Sequence, residues 1–348
     1  MVLQAPETSY VPGKERASVT GISRTLPQCL LVCIFLGASA FAQAPSPLPS
    51  GKSGIASKYP GDVNIKSDPA VLFADDFESY TSSSQLWNNW SNLYQQQDVN
   101  ITTTAANVFS GSKALEMKVP GGATEVANAV ERSLSTGQDT VFVRTYTKFP
   151  SNYNASGSEH NGIAITSNYC CPGVPANGTN KFYVDVENSR DLSSNNPGFT
   201  NSYVYYPEQR DVYGDHFFPD GTVLPNSSTP GNFGQYFVKR PNFIPNLNQW
   251  YCYELMVKAN TPGQRDGRIA IWIDGNLIAD FQNIRLRDTT NLKINKIELD
   301  LYIKQNPAGD MLKWYDNVVV AKSYIGPMSD GSSGGTVAPP TGLTAIAR

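Results

Sequence analysis

From residue 71 to residue 327 the chain keeps returning to one pattern, in which apolar and polar residues alternate. VFVRTYTKF, NGIAITS, KFYVDVEN, SYVYY, QYFVKR, WYCYELMVKA, RIAIWIDG, LIADFQN, INKIELDLYIK and KWYDNVVVAKSYI all alternate or are rich in β-branched and aromatic residues. A period of two is that of a strand. Asp274-Gly275 between two apolar runs marks a hairpin turn. More than ten strands with turn punctuation, and no long helical period, predict an all-β, two-sheet antiparallel β-sandwich.

The alternation also separates faces. In INKIELDLYIK, Ile297, Leu299, Leu301 and Ile303 point one way, and Lys296, Glu298, Asp300, Tyr302 and Lys304 the other. In KFYVDVEN, Phe182, Val184 and Val186 face the core, which leaves Tyr183, Asp185 and Glu187 outside. In VFVRTYTK, Arg144, Tyr146 and Lys148 share a face. Tyrosines mixed with cations and carboxylates suit a concave sugar-binding face, where aromatic planes stack on pyranose rings. The competing reading is an ordinary solvated sheet face.

Charged residues make up 16% of the chain, against about 25% in an average soluble protein. The net charge of −3 argues against a nucleic-acid binder, which would be basic. Lys14, Arg16 and Arg24 precede the apolar run CLLVCIFLGASAFA, which ends in Ala40-Phe41-Ala42. This predicts a signal peptide over 1–42 and a secreted or periplasmic protein without a membrane anchor. Residues 43–70, rich in Pro, Ser and Gly, read as a linker, and 328–348 as a flexible tail. The mature chain keeps Cys170, Cys171 and Cys252. Export favours a disulfide from the Cys170-Cys171 pair to Cys252; a vicinal bridge and free thiols are the alternatives.

Four stretches carry a resemblance. LFADDFESY opens the domain and KWYDNVVVAKSYIGP closes it, with FSGSKALEM and QWYCYELMVKANTPGQRDGRIAIWIDGNLIADF between them. The series resembles concanavalin A-like jelly-roll proteins, and among them polysaccharide lyases of the glucuronan- and alginate-lyase type with their fungal cellulose-induced relatives. It spans 71–327 and implies one jelly-roll domain, expected as a monomer. The resemblance also implies a structural calcium tying the first strand to the last, with Asp76, Glu78 and Asp316 as the matching carboxylates. No organic cofactor is expected.

A lyase needs a cation or amide on the uronate carboxylate, a base for the C5 proton, and an acid for the leaving oxygen. Arg144 with Asn161 is the candidate for the first role and His160, in GSEHNGIAITS, for the base. Tyr302 is the candidate acid and Lys304 a second cation. Tyr146, Asn161, Tyr183, Asp185, Glu187, Glu298 and Asp300 are candidate substrate contacts. The expected partner is a polysaccharide, anionic in this reading. The alternatives are a glycan-binding module without catalysis and a glycoside hydrolase. The hydrolase would need a carboxylate pair such as Glu298 with Asp300, which stand ~6.5–7 Å apart along one strand. IELDLYIKQ resembles the E-x-D-x-x-E signature of laminarinase-like hydrolases, but has Ile303 where the acid should be.

Overall fold

The computed structural model describes residues 46–155, 159–225, 237–306 and 309–330. The predicted signal peptide and nearly all of the predicted tail lie outside them. No helix among the described residues is long and apolar enough to cross a membrane.

The described residues form seventeen strands in two antiparallel sheets. Numbered along the chain, the outer sheet runs β15 (Asn276–Ile284), β14 (Gly267–Ile273), β13 (Tyr251–Lys258), β6 (Thr140–Lys148), β17 (Met311–Ala321), β4 (Ala114–Val119) and β3 (Val99–Thr102), with β1 (Val71–Asp75) beside β17. The cleft sheet runs β12 (Val223–Leu224), β11 (Asp215–Phe217), β10 (Phe199–Tyr205), β9 (Phe182–Ser189), β8 (Ile163–Ser167), β16 (Ile294–Gln305), β5 (Thr124–Gln138) and β2 (Asn92–Tyr94). The two-residue strand β7 (Glu159–His160) also pairs with β16. This is the predicted two-sheet sandwich.

Apolar alternation fills the space between the sheets. Val184, Val186, Ile297, Leu299, Leu301 and Ile303 from the cleft sheet meet Val141, Val143, Leu255, Val257 and Ile271 from the outer one, all in one buried cluster. Burying a Val, Leu or Ile side chain stabilises a fold by about 1.5–3 kcal/mol. This layer is the main support of the cleft sheet.

Residues 47–70 are not a free linker. They lie as three short 3₁₀ turns over the outward face of the outer sheet. Ile55, Ala56 and Ile65 pack there with Phe142, Met256, Trp272, Tyr324 and Ile325. Pro and Ser content predicted solvent exposure; the isolated apolar residues decide otherwise, because the sheet's second face is also apolar and needs a cover. The approach is close. A Cβ on Gly54 would lie 2.2 Å from the Ile325 carbonyl oxygen.

The same cover corrects two site expectations. Arg144 and Tyr146 do share a face, but it is the outward face of the outer sheet. Arg144 is fully buried; it pairs with Asp62 of the covering segment and donates to the Asn317 carbonyl oxygen at 3.0 Å. The Tyr146 hydroxyl accepts the Met328 N–H at 2.9 Å, and its ring stacks on Phe109. Alternation assigns a residue to a face but does not say which sheet the strand joins.

Arg144 therefore acts in stability. Removing one partner of a buried ion pair typically costs about 3–5 kcal/mol. Arg144→Ala should lose stability of that order in urea unfolding. A loss of catalytic rate with unchanged stability would instead return Arg144 to the site.

Candidate active site

The solvent-facing sides of the cleft sheet line a cavity of about 1000 Å³. Register builds its centre. Tyr302 pairs with His160, Tyr203 pairs with His216 on one side and with Asp185 on the other, and Asn201 pairs with Glu187. Directly opposed residues stand ~4.5–5.5 Å apart at Cβ, close enough for rings to touch. Four rings thus form a row across the sheet. The centroids are 5.4 Å apart from Tyr302 to His160, 4.7 Å from His160 to Tyr203 and 4.8 Å from Tyr203 to His216.

Glu187 lies beneath this row. Its Oε2 is 2.6 Å from His160 Nδ1 and its Oε1 is 3.0 Å from His216 Nδ1. The only two histidines of the chain therefore meet on one fully buried carboxylate. Burial opposes the charged carboxylate, yet the imidazoles prevail and hold it at about 2. Burial likewise opposes a charged His160, but Glu187 outweighs it and raises that imidazole above its ordinary range. Glu187 engages Nδ1 of His160 and leaves Nε2 as the ring nitrogen available for chemistry. The His160 side chain is 24% exposed, so a substrate can reach it.

The opening stretch of β7 and β8 is fixed from behind. Asn161 Nδ2 donates to the Asn188 carbonyl oxygen at 2.8 Å, and its Oδ1 accepts the Asn188 N–H at 2.9 Å. Asn161 is fully buried and pins β7 to β9; it does not line the cleft, so its assignment as a substrate contact is corrected. Gly162 permits the close crossing, since a Cβ there would lie 1.7 Å from the Val186 carbonyl oxygen. Tyr153 donates to Glu159 Oε2 at 2.8 Å, and burial raises Glu159 to about 8. Lys313 enters from the outer sheet and donates to the Asn161 carbonyl oxygen. Burial drives its ammonium down to about 7 against the pull of the carboxylates above it.

Tyr183, Glu298, Asp300, Tyr302 and Lys304 line the cleft, as does His160. Gly162 N–H donates to Asp300 Oδ1 at 2.7 Å, and the Tyr183 hydroxyl donates to Asp300 Oδ2 at 3.3 Å. Asp185 and Glu187 lie just under the surface, fully buried; they shape the site from below and are not surface contacts. Burial, then Asp300, holds Asp185 well above the usual carboxylate range, and Glu298 is raised in the same way. Lys296 is paired with Glu131. Lys304 is exposed at the rim and makes no ion pair among the described residues. Tyr203, Tyr205, Tyr169, His216 and Lys296 were absent from the sequence-based site. The alternation of SYVYY places Tyr203 and Tyr205 on one face and was the available signal. Nothing local joined His216 to His160.

The calcium expectation meets a different arrangement. Glu78 Oε1 accepts the N–H groups of Ser112 and Lys113 at 2.7 and 2.8 Å, and Oε2 accepts the Ser112 hydroxyl at 2.7 Å. Asp316 Oδ2 accepts the Phe109 and Ser110 N–H groups at 2.9 and 3.2 Å, and Oδ1 that of Asn317 at 2.8 Å. Asp76 accepts the Glu78 N–H at 3.2 Å. Every carboxylate oxygen of Glu78 and Asp316 faces a hydrogen-bond donor. These residues do not fit an oxygen cage for calcium; they clamp loop 109–113 between the start and the end of the domain.

The disulfide expectation also changes. Cys252 is buried on β13, and its neighbours Tyr251 and Tyr253 point to the core between the sheets. It faces away from the cleft, whereas Cys170 and Cys171 line it. Both sheets separate the proposed partners, and no bridge joins them.

The sequence profile of the polysaccharide lyase 14 family matches residues 190–303. These residues include β10, β11 and most of β16. The chain has the jelly-roll fold, and this part of it matches that family's profile. No characterised protein matches it by sequence. Among solved structures it is similar to the alginate lyase Aly36B in complex with an alginate trisaccharide, at 18% identity and a TM-score of 0.55, over 74% of this chain and 99% of that one. It is also similar to a marine alginate lyase from Aplysia kurodai, at 13% identity and a TM-score of 0.52, over 72% and 99%. At these identities the likeness to both is one of fold. The endo-β-1,4-glucuronan lyase from the fungus Trichoderma reesei matches at 16% identity over 73% and 96%, with a TM-score of 0.48.

Two measurements check this site. With two histidines in the chain, ring proton signals can be followed through a pH titration and assigned with His160→Ala. Glu187→Gln should move the His160 midpoint to lower pH, because the carboxylate that stabilises the imidazolium is gone. Chelator should leave the melting temperature unchanged. Glu78→Ala should cost about 0.5–1.5 kcal/mol through the hydrogen bonds it removes from loop 109–113; a chelator effect that this substitution abolishes would restore the calcium reading.

Proposed function

We propose that the protein is a polysaccharide lyase that cleaves a uronate-containing glycan by β-elimination in this cleft, outside the cell that makes it. The observation that carries the reading is the buried Glu187 holding His160 beneath an open cleft, between the rings of Tyr302 and Tyr203. The polysaccharide lyase 14 match over the strands that bear Tyr203, His216, Glu298 and Asp300 supports it.

The residues divide the reaction as follows. His160 Nε2 takes the proton from C5 of the uronate. Glu187 orients the ring and stabilises the imidazolium that forms, as a carboxylate behind a catalytic imidazole does. The electron pair left at C5 forms the new C4–C5 double bond as the bond from C4 to the glycosidic oxygen breaks. The Tyr302 hydroxyl returns a proton to that oxygen. Lys304 supplies positive charge for the uronate carboxylate in place of Arg144, and Tyr94 and Tyr213, exposed where they line the cleft, offer ring faces to the sugar.

One observation favours a second reading. Glu125, Glu131, Asp191, Asp211, Glu298 and Asp300 line the cleft, while Lys296 is already paired. A wall with so many carboxyl groups would also suit a module that binds a neutral glycan without cleaving it.

Incubation with glucuronan and alginate should release products with the absorbance of an unsaturated uronate. His160→Ala should lower turnover by about 10²–10⁴-fold. The active base is the neutral imidazole and its folded midpoint is raised, so turnover should climb with pH through a midpoint above the ordinary ~6.5. Binding of neutral glucans as tight as that of polyuronates, with no product, would leave the binding module standing.

A further inference from the structure

Cys170 and Cys171 are unused by the chemistry above. They follow β8, both are exposed, and both line the cleft. Their sulfurs stand 2.7 Å apart, within an ångström of the bonded separation of about 2.05 Å. The backbone holds them there. Cys171 has a φ of 59°, a left-handed conformation seldom adopted by a side-chain-bearing residue. The Lys181 ammonium donates to both cysteine carbonyl oxygens, at 2.7 and 2.8 Å, and lies against the rings of Tyr169 and Tyr205 at 4.9 and 4.8 Å. The Tyr205 hydroxyl accepts the Gly173 N–H at 3.3 Å. The turn is thus clamped on two sides before any bond forms. The third cysteine among the described residues, Cys252, is buried and faces away behind both sheets; Cys29 and Cys33 lie in the predicted signal peptide.

We propose that Cys170 and Cys171 are a redox modification site, closed to a vicinal disulfide by small disulfide oxidants and opened by small thiols. One thiolate attacks a sulfur of glutathione disulfide and releases one glutathione thiol. The neighbouring thiolate then attacks the protein sulfur of that mixed disulfide and releases the second. Two protein thiols become one disulfide, and one glutathione disulfide becomes two thiols. Adjacent Cα atoms are only about 3.8 Å apart, below the usual span of about 4.4–6.8 Å for bridged cysteines. Strain and exposure make such a bridge easily reduced. It therefore works as a reversible element in the cleft wall, between Tyr169 and the Gly173 turn, and not as a staple of the fold.

The test uses the full chain, treated with glutathione disulfide, alkylated without reductant, digested and weighed. The peptide spanning residues 168–180 should lose two hydrogens, carry no glutathione and take no alkyl group, while Cys252 takes one only after unfolding. Excess reduced glutathione should restore both thiols. In Cys170→Ser the remaining Cys171 should keep a glutathione adduct, because its resolving partner is gone. Retained glutathione on the wild type, two alkylated thiols after oxidation, a bridge to Cys252 or to a second chain, or a closed bridge that excess glutathione cannot open would each overturn the proposal.

Discussion

A single buried carboxylate organises the cleft. Glu187 is removed from water, and an unpaired carboxylate there would be driven to protonate. Two imidazoles prevent this, one from β7 and one from β11, and the pairing fixes both rings in the cleft wall. The row Tyr302, His160, Tyr203, His216 follows from it, since each tyrosine opposes a histidine in strand register.

What lies below this row explains how so polar a sheet stays folded. The apolar faces of β9 and β16 bury against the outer sheet. At one end of that layer sits a polar tier of Tyr153, Glu159, Asn161, Lys313 and Tyr315. Hydrogen bonds tie its members together and to the strands above: Tyr153 donates to Glu159, Asn161 pairs with the Asn188 backbone, and Tyr315 donates to the Asp300 carbonyl oxygen. Buried polar groups are tolerated when partnered, and a partnered network also fixes one geometry. The tier sits directly beneath β7, so it sets the height and tilt of His160.

Much of this was legible in the chain, and the reasons are physical. Period-two alternation places Tyr183, Asp185 and Glu187 on one face because a strand leaves no other choice, and the same holds for Glu298, Asp300 and Tyr302. The all-β sandwich follows from the number of such runs. Alternation carries no information about strand order, so Arg144 and Tyr146 were given to the cleft when β6 lies in the outer sheet. Composition misled over residues 47–70, where Ile55 and Ile65 outweigh the surrounding Pro, Ser and Gly once a second apolar sheet face needs covering. His216 was unreachable by local reasoning, because its meeting with His160 exists only through β9 and β10. What distinguishes His160 from an ordinary polar residue at a strand edge is Glu187, a residue on a different strand.

The central claim is that Glu187 acts on the reaction through His160. A double-mutant cycle on polyuronate turnover tests it directly, with His160→Ala, Glu187→Gln and the double variant compared through kcat/KM. Residues that work as one unit are strongly non-additive. The double variant should therefore be no slower than His160→Ala alone. Losses that simply add, or a wild-type protein that releases no unsaturated product, would contradict the account.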